Sequence, residues 1–77
     1  MEATDTPIAP TNQDVAAKIG LTHSGVSRIR SGDRLPSVAT MARIEATYGW
    51  SVQSQVESRG RSTYAADFEQ ALLGKVN

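Results

Sequence analysis

The tightest constraint on the fold lies in residues 11 to 31, where two short apolar-periodic runs are separated by only Gly20, Leu21 and Thr22. Val15, Ala16 and Ile19 recur at helical spacing, and Val26 and Ile29 do so again after the break. Gly20 ends the first run because it can enter the left-handed backbone that closes helices. Thr22 opens the second, offering a hydroxyl to amides that have no partner at a helix start. So short a turn makes the two helices cross at close range, and Ala16 keeps the crossing small. The pattern predicts helices over roughly 12–19 and 23–30.

The flanks extend this helical reading. Thr11 with Asp14 three residues on forms a variant capping box and places negative charge at the positive helix end. Before it, Met1 to Pro10 contains Pro7 and Pro10 and reads as a flexible arm. Ser31-Gly32 stops the second helix, and Asp33 to Pro36 is a loop. Ser37 caps a third helix with Val38, Met41, Ala42 and Ile44 inward, closed by Gly49. Ser51 caps a short fourth with Val52 and Val56 inward. Ser58-Arg59-Gly60-Arg61 reads as a polar hinge, in which Arg59 and Arg61 either have nothing bound or add a contact with a phosphate backbone. Ser62 or Thr63 then caps a last helix along which Tyr64, Phe68, Ala71 and Leu72 make one apolar side, ended by Gly74. With no strand-like alternation and no internal repeat, the expected fold is an all-α small helical domain. Its parts are an arm over 1–10, a domain over 11–57, a hinge over 58–61 and a C-terminal helix over 62–77.

Composition bears on stability and on function class. Of the 30 hydrophobic residues (39% of 77), 10 are alanines, which leaves 20 larger apolar side chains for the core. A core that thin favours self-association. The chain has no cysteine, so neither a disulfide nor a thiolate zinc site is expected. No apolar run is long enough to cross a bilayer, and the first ten residues lack the pattern of a signal peptide, which leads to an expected cytoplasmic location and no membrane partner. The net charge of zero argues weakly against nucleic acid, but the distribution reverses that. Residues 18 to 44 hold Lys18, Arg28, Arg30, Arg34 and Arg43 against Asp33 alone.

If Val26 and Ile29 face inward, His23, Ser24, Ser27 and Arg28 face outward from the start of the second helix. A helix fits the major groove of DNA, where side chains of its first turns reach base edges. Catalysis has little support. His23 and Ser27 could meet across one helical turn, but no third group or oxyanion site accompanies them, so no catalytic residue is assigned. The single histidine has no metal-binding companion, and no metal or cofactor is expected.

The stretch Thr11 to Thr22, with Val26-Ser27-Arg28-Ile29, Ser31-Gly32, Leu35-Pro36-Ser37 and Tyr48 to Val52, resembles the Cro-type helix-turn-helix family, also called lambda-repressor-like or XRE-like. The resemblance covers residues 11 to about 57 and implies a DNA-binding transcriptional repressor, most similar to a small phage Cro or immunity repressor of a bacterial host cell. It implies that Gln13 bonds a DNA phosphate, that Thr22, His23, Ser24 and Arg28 touch bases or adjacent phosphates, and that Ser31 and Arg34 grip the backbone. Ile29 and Arg30 stand where the family commonly has aromatic and acidic residues, and Arg30 adds charge near the phosphates. Two further departures are a reduced first helix and Gly25 inside the reading helix. The implied partner is a double-stranded DNA operator, with a homodimer expected at least on DNA. Tyr64, Phe68 and Leu72 either fold back over the motif or pair with a second chain. The alternative is a protein-interaction module such as an antitoxin, which would expose apolar residues where His23, Ser24 and Arg28 stand.

Overall fold

A hydroxyl opens four of the five helices in the computed structural model, which describes residues 9–74. The arm expected over residues 1–10 therefore lies outside the described residues except for Ala9 and Pro10. Thr11, Thr22, Ser37 and Ser51 each sit in extended backbone and accept a hydrogen bond from the amide three residues on. They start α1 (Asn12–Ile19), α2 (His23–Ser31), α3 (Val38–Tyr48) and α4 (Val52–Gly60), and α5 (Tyr64–Leu72) follows. Gly20 closes α1 at φ 74°, and the guanidinium of Arg43 lies over it, 3.4 Å from where a Cβ would stand. A side chain at Gly20 would meet both a disfavoured backbone and a filled space.

The principal contacts join the helices in a closed ring: α1 packs on α2, α2 on α5, α5 on α4, α4 on α3, and α3 back on α1. The core inside the ring includes Val15, Ile19, Val26, Ile29, Met41, Ile44 and Phe68, each almost wholly buried. Trp50, Tyr64 and Phe68 form an aromatic row, with ring centroids 5.0 Å and 6.0 Å apart. Tyr64, Phe68 and Leu72 are thus buried within one chain. Of the two arrangements open to the C-terminal helix, the structure has the fold-back, and this stripe is not available for pairing with a second copy.

Several expectations are corrected. In α3 only Met41 and Ile44 of the expected inward set are buried; Val38 is 61% exposed and Ala42 is exposed too. Pro36 is buried ahead of the helix, so Val38 in the first turn is left on the outside. In α4 Val52 packs half-buried against the core as expected, but the fully buried residues are Gln55 and Ser58, while Val56 is exposed. The reason is a polar network. The Gln55 amide donates to the carbonyls of Met41 and Trp50, both at 2.8 Å, and its Oε1 accepts from the Tyr64 hydroxyl at 2.8 Å. A buried amide with three partners joins α3, α4 and α5 at little desolvation cost. Burial also pushes the Tyr64 phenol well above its ordinary pKa.

The expected hinge at 58–61 is, over residues 58–60, the last turn of α4. The chain then turns through Ser62, whose φ of 62° is the one positive value among the described non-glycine residues. Thr63 starts α5 without a capping hydrogen bond. Its hydroxyl donates instead to Asp67, at 2.7 Å, and the Ser58 hydroxyl does so at 2.6 Å. These two bonds, aided by Arg61, hold the Asp67 carboxyl below its ordinary pKa.

Two outcomes follow from these networks. Gln55→Ala leaves the Tyr64 hydroxyl and the Trp50 carbonyl without their partner, at about 1–3 kcal/mol for each buried group so orphaned, while the Met41 carbonyl keeps its place in the α3 ladder; Val56→Ala stays within about 0.5 to 1 kcal/mol. Urea denaturation of the two variants beside the parent measures the contrast, and equal losses would remove the network from the account. For Asp67 the folded pKa is depressed, so its contribution is complete above the unfolded value of 3.8 and is lost as pH falls through the folded one. The gap in melting temperature between parent and Asp67→Asn should therefore narrow below about pH 4. A constant gap down to about pH 2 would contradict it.

Candidate nucleic-acid interface

Packed between α1 and α5, α2 turns Gly25, Val26 and Ile29 inward. His23, Ser24, Ser27 and Arg28 consequently share the solvent-facing side, and all four are exposed. Their steps of one, three and one make a single row that begins at the first residue of the helix. The first turn of α2 carries no acidic residue, so nothing offsets the positive end of the helix dipole there. An anion approaching that end meets free amides and no opposing carboxylate.

Each expected backbone-contacting residue has a definite setting. Gln13 is exposed in the first turn of α1. Thr22 is exposed and uses its oxygen to accept from the Gly25 amide at 3.0 Å, which leaves its hydroxyl proton free to be donated elsewhere. Ser31 belongs to α2 and donates to the carbonyl of Arg28 at 3.0 Å. Arg34 is exposed in the loop, and its guanidinium reaches back along α2 to Gly25. A Cβ on Gly25 would lie 3.2 Å from the Thr22 hydroxyl oxygen and 3.6 Å from Arg34. The glycine lets the capping threonine and this arginine close over the first turn of the helix.

Arg30 is placed differently from the other arginines of this segment. Its guanidinium forms a two-pronged ion pair with Glu69 of α5. The remaining prong donates to the carbonyl of Pro10 at 2.7 Å and to the side chain of Asn12 at 3.0 Å. With 19% of its side chain exposed, it ties α2 to α5 and to the entry of α1. These bonds occupy the guanidinium that was expected to meet a phosphate. The sequence held no sign of this pairing, because Glu69 stands 39 residues away. Lys18 and Arg61 also face acids, Asp14 at 3.5 Å and Asp67 at 3.8 Å.

A helix-turn-helix family model matches residues 11–53, more than half of the chain, from the cap of α1 into the first turn of α4. That family consists of DNA-binding transcription regulators and is not typically enzymatic. No curated protein and no solved structure matches the chain. Among the described residues no helix is long and apolar enough to cross a membrane, and no group of three or more His, Cys, Asp or Glu side chains could hold a metal ion.

The two settings for Arg30, internal strut or phosphate ligand, give opposite results on charge reversal. Arg30→Glu and Glu69→Arg should each lower the melting temperature, and the double swap should recover much of it, because a partly buried pair is worth more than the up to about 1 kcal/mol of an exposed one. Thermal denaturation of the three variants measures the coupling. Additive losses in the double variant would show that the pair holds nothing.

Proposed function

Because the chain belongs to the helix-turn-helix family, we propose that it is a sequence-specific double-stranded DNA-binding protein that acts as a transcriptional repressor by laying α2 in the major groove of an operator. The observation that carries this reading is the exposed row His23, Ser24, Ser27 and Arg28 at the start of a helix held rigidly on its other side. Arg28 can bond both acceptors of a guanine edge at once, and His23, Ser24 and Ser27 reach neighbouring base edges. Gln13, Thr22, Ser31 and Arg34 bond backbone phosphates and set the register of the helix on the duplex. The phage Cro and immunity-repressor type, in a bacterial host cell, rests on the resemblance of residues 11 to about 57.

The polar character of the row favours DNA over an antitoxin-like protein partner, which would select apolar side chains at its centre. A pair of copies, each with α2 in one half-site, reads a pseudo-palindrome about one helical turn apart. That pairing uses surfaces other than the buried stripe of α5.

Selection of bound sites from a random DNA pool, followed by salt-controlled binding to the selected site, tests the reading. Arg28→Ala should weaken specific binding by about 1–3 kcal/mol and relax preference at one base pair. Gln13→Ala and Arg34→Ala should weaken all sequences alike. Recovery of no preferred site, or an Arg28→Ala protein with the parent's preference intact, would overturn it.

A further inference from the structure

The link between α4 and α5 carries a strained serine and an arginine that the packing does not use. Ser62 occupies the left-handed position after α4, where its amide bonds to the Arg59 carbonyl at 3.1 Å and the Thr63 amide to the Ser58 carbonyl at 3.0 Å. The equivalent positions after α1 and α2 are taken by Gly20 and Gly32. A side chain at such a position is disfavoured unless something else holds it there. Arg59, one turn earlier, is exposed and forms no ion pair with a described residue, in contrast to Arg61 beside Asp67.

Both residues line a cleft of about 230 Å³ whose opposite wall is the end of the reading helix. Ile29, Gly32 and Arg34 form that wall, and Arg59, Ser62 and Tyr64 face them. No acidic residue lines the cleft. Two arginines beside one hollow create a positive potential that an anionic oxygen satisfies, and the Ser62 hydroxyl adds a neutral donor. Arg34 is already proposed to hold the DNA backbone. Arg34 also lines the cleft, opposite Arg59 and Ser62.

We propose that Arg59 and Ser62 join Arg34 in holding a phosphate of the DNA backbone, so that the turn before α5 adds a contact from outside the segment matched by the family. This rests on the DNA-binding reading above. Such a contact strengthens binding to every sequence alike and carries no base preference.

Binding of the full chain to specific and random duplexes across a salt series tests it, with Arg59→Ala, Ser62→Gly, Arg34→Ala and Arg61→Ala compared. Arg59→Ala should weaken both duplexes by the same several-fold factor and reduce the magnitude of the salt slope by about 0.9, with its melting temperature unchanged. Ser62→Gly should melt higher, through relief of the backbone, yet bind more weakly; a purely structural serine would not separate the two readouts. Arg61→Ala should keep the parent's slope. An Arg59→Ala protein with the parent's affinity and slope, beside an Arg34→Ala protein that loses both, overturns this inference and leaves the DNA-binding reading standing. A parent chain without salt-dependent DNA binding overturns the two together.

Discussion

The position of α2 depends on contact with both α1 and α5, and much of the remaining structure serves to maintain those two contacts. One neighbour is fixed by chain length, since Gly20, Leu21 and Thr22 leave α1 nowhere else to go. The other is fixed by apolar burial, because Tyr64, Phe68 and Leu72 have no shelter except inside the ring. Arg30 adds direction to that burial. A two-pronged pair to Glu69 allows little sliding of one helix along the other, which apolar contact alone would permit. The exposed row on α2 is therefore held by groups on its opposite side, as precise recognition requires.

Local rules made a large part of this legible beforehand. The hydroxyl caps at Thr11, Thr22, Ser37 and Ser51, the glycine stops, and the inward faces of α1 and α2 are each decided within four residues. The errors fall where a distant partner decides. Val56 resembled a core residue by its spacing from Val52, but Gln55 takes the inward position because Met41, Trp50 and Tyr64 supply its bonds. Thr63 resembled a cap, but Asp67 engages its hydroxyl. Serine, threonine and glutamine can serve in either setting, and only tertiary neighbours choose between them. For the candidate interface, the outward row on α2 followed from periodicity. The removal of Arg30 from it, and the placing of Arg59 beside Arg34, required the folded chain.

The charge balance has a similar structure. Asp14, Asp67 and Glu69 face Lys18, Arg61 and Arg30 within the fold. Arg28, Arg34 and Arg59 have no such partner among the described residues and stay exposed. A chain of zero net charge can thus present a local excess of cations, because Arg28 and Arg34 stand on and just after α2 while the acids Glu45 and Glu57 lie on α3 and α4.

The closed ring has a consequence for how the protein comes into being. Synthesis delivers α1 and α2 first, and both could take helical form early, since their caps and stops are local. Yet the far wall of α2 consists of residues translated much later, and its strut waits for Glu69. Until then α2 has one supporting neighbour and an open apolar flank at Ile29. Full support of the exposed row on α2 is thereby deferred until nearly all of the described chain has been synthesised.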